Sequence, residues 1–175
     1  MNASSLATID ETDHTQGPDD APVTLIEYGD FECPLCGQAY SIVERLRRDY
    51  GDDLRFAFRH LPLNKVHPHA AQAAQAAEAA GAQDAFWAMH AALFEHQRAL
   101  EYEDLKGYAE DLALDTERFA RELDERVYNK RVQVDLRGGV RAGANGTPTF
   151  FINGVRHDGD FDFDTLSQAI TKAGA

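Results

Sequence analysis

Cysteine is scarce in this chain, with only Cys33 and Cys36 among 175 residues. A scaffold of several disulfides is therefore excluded. A bridge between these two residues would close a loop so short that its entropic stabilisation is close to the minimum. The fold must instead rest on a hydrophobic core, and this length is sufficient for one domain.

Basic residues are also few, since 17 Lys and Arg face 30 Asp and Glu, which gives a net charge of −13. No run of basic residues is present, so nucleic acid and anionic membrane are poor partners for this surface. No segment approaches the ~18 apolar residues of a membrane span. Residues 1–20 lack the basic and apolar parts of a signal peptide. We therefore expect a soluble cytoplasmic protein as written, or a periplasmic or extracellular one if the N-terminus has been trimmed.

The first 20 residues are polar and acidic and show neither helical nor strand periodicity. This composition predicts a flexible N-terminal arm over residues 1–20, with room for an edge strand around residues 7–9. Residues 21–175 contain no linker or repeat and are expected to form a single domain.

The start of that domain predicts a strand, a helix and a second strand. Residues 23–28 are apolar and partly β-branched, residues 34–50 have helical periodicity, and residues 54–59 alternate. Three such elements within about 40 residues form a right-handed parallel βαβ unit in nearly all known cases.

The middle of the chain, at about residues 67–141, shows only helical patterns and predicts an insertion of four or five helices. Strand character returns at residues 149–152. Asn153-Gly154 then predicts a tight hairpin turn before a second short strand. An amphipathic pattern over residues 163–173 predicts a closing helix.

Cys33-Pro34-Leu35-Cys36 lies where the first strand gives way to the first helix. The unpaired N–H groups and the dipole of a helix N-terminus stabilise a thiolate, by roughly one pKa unit at most. Cys33 precedes the helix and is the predicted nucleophile, whereas Cys36 lies inside the first turn and is the predicted resolving thiol. The carboxylates of Asp30 and Glu32 would oppose this stabilisation.

Other interpretations of the cysteine pair remain open. A zinc site needs two further ligands, for which only His67 and His69 are suggestively placed. A purely structural bridge and a pair of inert buried thiols are the other two. Otherwise all seven histidines, His67 and His69 included, are expected to be surface or capping residues.

Two motifs and the element order together resemble a known family. The order β-α-β, helical insertion, β-β-α is similar to the α/β thioredoxin fold with the all-helical subdomain of DsbA-like proteins. The motifs are Asp30-Phe31-Glu32-Cys33-Pro34-Leu35-Cys36 and Gly146-Thr147-Pro148-Thr149-Phe150. The resemblance implies a monomeric thiol:disulfide oxidoreductase that acts on protein thiols or disulfides and is served by an unidentified redox partner. It implies no cofactor beyond a redox-active Cys33–Cys36 disulfide, and no metal.

The resemblance also assigns roles to residues outside the cysteine pair. Alternation along the first strand places Glu27 on the core side, where burial raises the pKa of a carboxyl. The family places an acid here to deprotonate the resolving cysteine, so Glu27 is expected to act on Cys36; the alternative is that its side chain only reaches a surface lysine or arginine. Thr147-Pro148 matches the cis-proline that faces the cysteines, with the backbone of Thr147 free to pair with an extended substrate.

Pro34 and Leu35 are expected to tune the redox poise. The strongest oxidants of the family carry His where this chain has Leu35, and leucine donates no hydrogen bond to a thiolate. We therefore predict a less oxidising couple than theirs. The direction of electron flow is not readable from the sequence, and the alternative function is a non-catalytic binding module that holds a metal or a protein partner at the same face.

Overall fold

The computed structural model describes residues 6–175, which form one five-stranded mixed sheet with helices on both of its faces. The strands are β1 (His14–Gln16), β2 (Val23–Gly29), β3 (Leu54–His60), β4 (Thr149–Ile152) and β5 (Val155–Arg156). The helices are α1 (Pro34–Tyr50), α2 (Ala70–Gly81), α3 (Phe86–Glu95), α4 (Tyr102–Asp111), α5 (Thr116–Asp124), α6 (Asn129–Ala142) and α7 (Phe163–Ala173), with a short 3-10 turn at Gly51–Asp53. This is the thioredoxin fold predicted from the element order, with a helical insertion.

Strand β2 occupies the centre of the sheet, whose order is β1-β3-β2-β4-β5. It pairs in parallel with β3, to which it is connected by helix α1, and antiparallel with β4. Because it has neighbours on both edges and helices on both faces, its residues are apolar almost throughout. Its one charged residue is Glu27, which lies in register between Phe58 and Phe150.

The two faces of the sheet carry separate parts of the core. Val23 and Leu25 of β2 belong to a large cluster that also contains Cys33 and Cys36. Ile26 and Tyr28, which alternate with them, belong to a smaller cluster on the opposite face. The period-2 alternation of a strand therefore directs β2 side chains toward or away from the cysteine pair.

Helices α2 to α6 are inserted between β3 and β4 and span Ala70–Ala142, where the sequence predicted an insertion at about 67–141. The Ala-rich α2 is buried along most of its length. Small side chains allow the neighbouring helices α3 and α5 to approach it closely. Helices α2 to α5 contribute to the cluster that contains the cysteines, whereas α6 packs against Tyr28 and Leu61 on the opposite face.

The predicted flexible arm is wrong where the structure describes it. His14–Gln16 pairs antiparallel with β3 as an edge strand, and the buried Ala7 donates its N–H to the backbone O of Gly154 at 3.0 Å. Arg59 ties the same segment to the sheet through the buried carboxylate of Asp13, at 2.7 Å. An edge strand can be formed by polar residues, so the polar composition of this segment did not reveal the strand. Residues 1–5 of the predicted arm lie outside the described residues.

Candidate active site

The cysteine pair lies at the carboxyl end of β2 and the start of α1. Cys33 is the N-cap residue of α1 in extended conformation, and Pro34 is its first helical residue, a position where the missing N–H of proline costs no hydrogen bond. Both thiols are free, and Cys33 is 5% exposed whereas Cys36 is fully buried. The thiol that precedes the helix is therefore the more accessible one, as expected of a nucleophile.

The pKa of the Cys33 thiol is lowered from 9.0 to about 5. The largest cause is the hydrogen bond from the Cys36 thiol; burial opposes it, and the Thr147 side chain and the backbone N–H groups of Cys36 and Leu35 reinforce it. The shift exceeds the single unit expected from the helix terminus alone, because these hydrogen bonds converge on one sulfur. Cys33 is consequently a thiolate at neutral pH.

Cys36 has the opposite character. Burial raises its pKa well above the ordinary range, and the hydrogen bond to Cys33 and the charges of Glu27 and Cys33 raise it further. A buried thiol that stays protonated can stabilise the neighbouring thiolate, but it needs a base before it can attack. The two sulfurs therefore divide the roles of nucleophile and proton-bearing partner.

Glu27 lies on the cysteine side of β2, as strand alternation predicted, and it is 2% exposed. Its Oε1 has no hydrogen-bond partner among residues 6–175. Burial raises its pKa from 4.5 to about 8, with a smaller contribution from the charge of Cys33. A carboxyl that titrates near neutral pH beside two thiols can both accept and return a proton.

The Thr147-Pro148 peptide bond is cis and faces Cys33, whose Sγ lies 3.6 Å from the backbone O of Thr147. The Thr147 hydroxyl is buried and has no partner within the described chain while Cys33 carries its proton, yet it can donate to the Cys33 thiolate. Thr147 thus contacts the nucleophile through both its backbone and its side chain, and the side-chain contact was not anticipated from the sequence.

Asp30 and Glu32, the carboxylates expected to oppose the thiolate, are both held by hydrogen bonds from the loop after β3. Asp30 is 1% exposed and accepts hydrogen bonds from the backbone N–H of Leu63 at 2.8 Å and from His67 Nδ1 at 2.9 Å. Glu32 accepts from the backbone N–H and the Nδ1 of His69, at 2.7 and 2.8 Å. The two histidines considered as zinc ligands therefore anchor the loop after β3 to the redox turn.

Leu35 is 47% exposed next to Cys33, and Pro34 is exposed as well. Both side chains border the accessible thiol, where the redox poise was predicted to be tuned. The expectation of surface histidines is wrong for His60 and His90, which are 1% and 4% exposed. Burial lowers the pKa of His90 to about 3, so this imidazole is neutral within an aromatic cluster.

No group of three or more His, Cys, Asp or Glu side chains among residues 6–175 is arranged to hold a metal ion. Over the same residues, no helix combines the length and apolar character needed to cross a membrane.

The fold and the site define a class of protein: a thioredoxin fold with a cysteine pair at a helix N-terminus, a buried acid beneath it and a cis-proline opposite. A family model described as thioredoxin matches residues 9–172. The chain belongs to this family, and its predicted resemblance to DsbA-like thiol:disulfide oxidoreductases is confirmed.

Solved structures show the same architecture. Oxidised BdbD of Bacillus subtilis is 27% identical, with a TM-score of 0.81 over 91% of each chain. A thioredoxin-like oxidoreductase of Silicibacter pomeroyi is 26% identical, with a TM-score of 0.82 over 94% of this chain and 93% of that one. Wolbachia pipientis alpha-DsbA1, at 21% identity and a TM-score of 0.80 over 95% and 92%, shares the fold.

Curated relatives are much longer proteins. The protein named Na(+)/H(+) antiporter NhaA 1 of Salinispora arenicola is 51% identical over 163 residues, and one of that name from Mycobacterium sp. (strain KMS) is 43% identical over 164. The match covers 93% and 91% of this chain but only 25% and 26% of those relatives. The chain therefore spans about a quarter of their length, and their names describe the longer proteins alone.

Proposed function

We propose that this protein exchanges disulfides with protein substrates through Cys33 and Cys36. The observation that carries the proposal is the contrast between the two thiols, since the pKa of Cys33 falls to about 5 while that of its buried neighbour rises. Exchange requires a thiolate that can attack and a second thiol that resolves the product. Inert thiols would show no such contrast.

In the reducing direction, the Cys33 thiolate attacks one sulfur of a substrate disulfide, and the other substrate sulfur leaves as a thiolate. Cys36 then loses its proton to the Glu27 carboxylate and attacks the Cys33 sulfur. The mixed disulfide breaks, the second substrate thiolate leaves, and a Cys33–Cys36 disulfide remains. The substrate has gained two electrons and the protein has lost two.

The reverse sequence oxidises a substrate dithiol, with Glu27 returning the proton to Cys36. A second protein dithiol or disulfide must restore the starting state in either direction, and no other cofactor is needed. The compartment sets the direction: a reducing one keeps the dithiol form, while an oxidising one keeps the disulfide. We propose that the protein acts as a monomer, with the cis Thr147-Pro148 segment next to Cys33 as the surface that pairs with an extended substrate.

Trapping of the mixed disulfide tests this order of events. The variant Cys36→Ser should accumulate a covalent complex with a disulfide-bearing model protein, seen as a mass increase that dithiothreitol reverses. The variant Cys33→Ser should form none, because its remaining thiol is buried and protonated. Equal trapping by both variants would contradict the assignment of nucleophile and resolving thiol.

A further inference from the structure

A side chain from the helical insertion reaches the redox turn. Gln97 follows α3, and its Nε2 amide group donates to the backbone O of Phe31 at 2.9 Å and to the backbone O of Cys33 at 2.8 Å. The Cys33 carbonyl also accepts the N–H of Gly37 at 3.1 Å, the first hydrogen bond of that turn of α1. One amide therefore holds the chain on both sides of Glu32 and at the residue that carries the nucleophile.

Space for this contact depends on the absence of a side chain at Gly37. A Cβ added there would overlap Oε1 of Gln97 and lie 2.8 Å from its Cδ. Backbone strain does not account for this glycine, since it sits within an ordinary helix. The glycine and the glutamine are thus complementary: the helix leaves a gap, and the amide of the insertion fills it.

The position of the Cys33 backbone matters because the hydrogen bonds that stabilise the thiolate depend on where its sulfur lies. Its sulfur is stabilised in part by the N–H groups of Leu35 and Cys36, which belong to the first turn of α1 and have no partner within the helix. Hydrogen bonds to an anion weaken steeply when distance and angle depart from ideal values. A clamp on the Cys33 carbonyl keeps the sulfur over these donors.

We propose that Gln97 is a positioning residue for the nucleophile, through which the helical insertion controls the acidity of Cys33. The inference deepens the proposed function, because it assumes that Cys33 is the reacting thiol. A displacement of the insertion would withdraw the amide from both carbonyls together. The acidity of the thiol would then report where the insertion lies.

The test is the pH dependence of Cys33 alkylation by iodoacetamide in the reduced protein, measured as second-order rates. Gln97→Ala removes the clamp and should raise the midpoint of the profile by about one pH unit. Gln97→Glu keeps the shape but turns acceptors toward two carbonyl oxygens, so it should raise the midpoint at least as far. Gly37→Ala should raise it as well, by displacing an intact Gln97.

The double variant Gly37→Ala/Gln97→Ala shows whether Gly37→Ala acts by displacing Gln97 or whether the two substitutions act independently. Once the glutamine is truncated, the new methyl group has nothing to displace, so the double variant should match Gln97→Ala alone. Gln38→Ala removes an exposed amide from the same helix, and Gly107→Ala adds a methyl where no atom lies within 4 Å. Both controls should keep the wild-type midpoint, and thermal unfolding of every variant establishes that it is folded.

An unchanged midpoint in folded Gln97→Ala would overturn the inference, and so would additive shifts in the double variant. The proposed function is judged by a different readout, the exchange of disulfides by the wild-type protein. A shifted alkylation profile together with no exchange would retain the positioning role and reject the function. Exchange together with an unshifted profile would do the reverse.

Discussion

Replacement of Glu27 by glutamine should stabilise the reduced protein, and increasingly so as pH rises. The carboxyl is 2% exposed and titrates at about 8 in the fold instead of 4.5. Between these values the folded protein holds a proton that the unfolded chain has released, so wild-type stability falls as pH rises. The difference of about 3.5 pH units corresponds to about 5 kcal/mol at most. Glutamine cannot ionise, so the variant does not lose stability in this way as pH rises.

The gap in unfolding free energy between Glu27→Gln and wild type should grow by up to about 1.4 kcal/mol per pH unit over this window. It should be about 1 kcal/mol at pH 5 and about 3 kcal/mol at pH 7, and level off above pH 8. Urea unfolding under excess reductant at pH 5, 7 and 9 measures it.

The same comparison in a Cys33→Ser background identifies the cause of the shift. Burial is the larger contribution to the raised pKa of Glu27 and the Cys33 charge the smaller one. Most of the pH-dependent gap should therefore survive when the sulfur is replaced. A gap that does not vary with pH in either background would refute the reasoning, because it would mean that Glu27 is ionised inside the fold.

Three further predictions concern single side chains. Thr147→Val, which keeps the shape but removes the hydroxyl, should raise the midpoint of Cys33 alkylation by roughly half a pH unit to one unit; an unchanged midpoint would remove this hydroxyl from the site. Wild-type attack on a disulfide should slow as pH falls below about 5, because the thiolate becomes protonated; stopped-flow rates that stay constant down to pH 4 would contradict this. Although burial raises the pKa of Glu78, hydrogen bonds from His14 and His60 lower it below its usual range. The Glu78 carboxylate therefore stabilises the fold at neutral pH, and this contribution is lost in acid. Glu78→Gln should cost about 3 kcal/mol in urea unfolding at pH 7, and less as the pH falls toward the lowered pKa; a loss that does not depend on pH would show that the charge of the carboxylate contributes nothing.

Local patterns explain which elements could be read from the sequence. The apolar run that begins at Val23, the Asn153-Gly154 turn and the amphipathic closing helix each depend on neighbouring residues alone, and all three are present. Glu27 was placed on the core side by strand alternation, which is equally local. The redox turn followed from its position between a strand and a helix.

Contacts between distant residues explain what the sequence did not reveal. Edge strand β1 contains only polar residues, and its place is set by pairing with β3 at least 40 positions away. His60 is buried because Glu78 of the insertion meets it at 3.0 Å. Gln97 contacts Cys33 across 64 positions, and no property of either residue announces that contact.

The predicted redox poise shows how such contacts alter an expectation. Leu35 donates nothing to the thiolate, which favoured a less oxidising couple than that of the His-bearing enzymes. The structure nevertheless lowers the pKa of Cys33 to about 5, through Cys36, Thr147 and two backbone N–H groups. A stabilised thiolate favours the dithiol form and opposes the effect expected of leucine. The predicted poise remains a prediction, to be measured by equilibration with glutathione buffers.

Turnover of a protein disulfide tests the central claim most directly. Reduced protein is mixed with a disulfide-bonded model substrate under a regenerating dithiol, and substrate thiols are counted over time. We predict many thiols released per protein molecule by wild type and none above background by Cys33→Ser. In the same mixture without the dithiol, Cys36→Ser should form a single stoichiometric mixed disulfide. Wild-type protein that releases no more thiols than Cys33→Ser, in this direction and in the oxidation of a reduced substrate, would contradict the account.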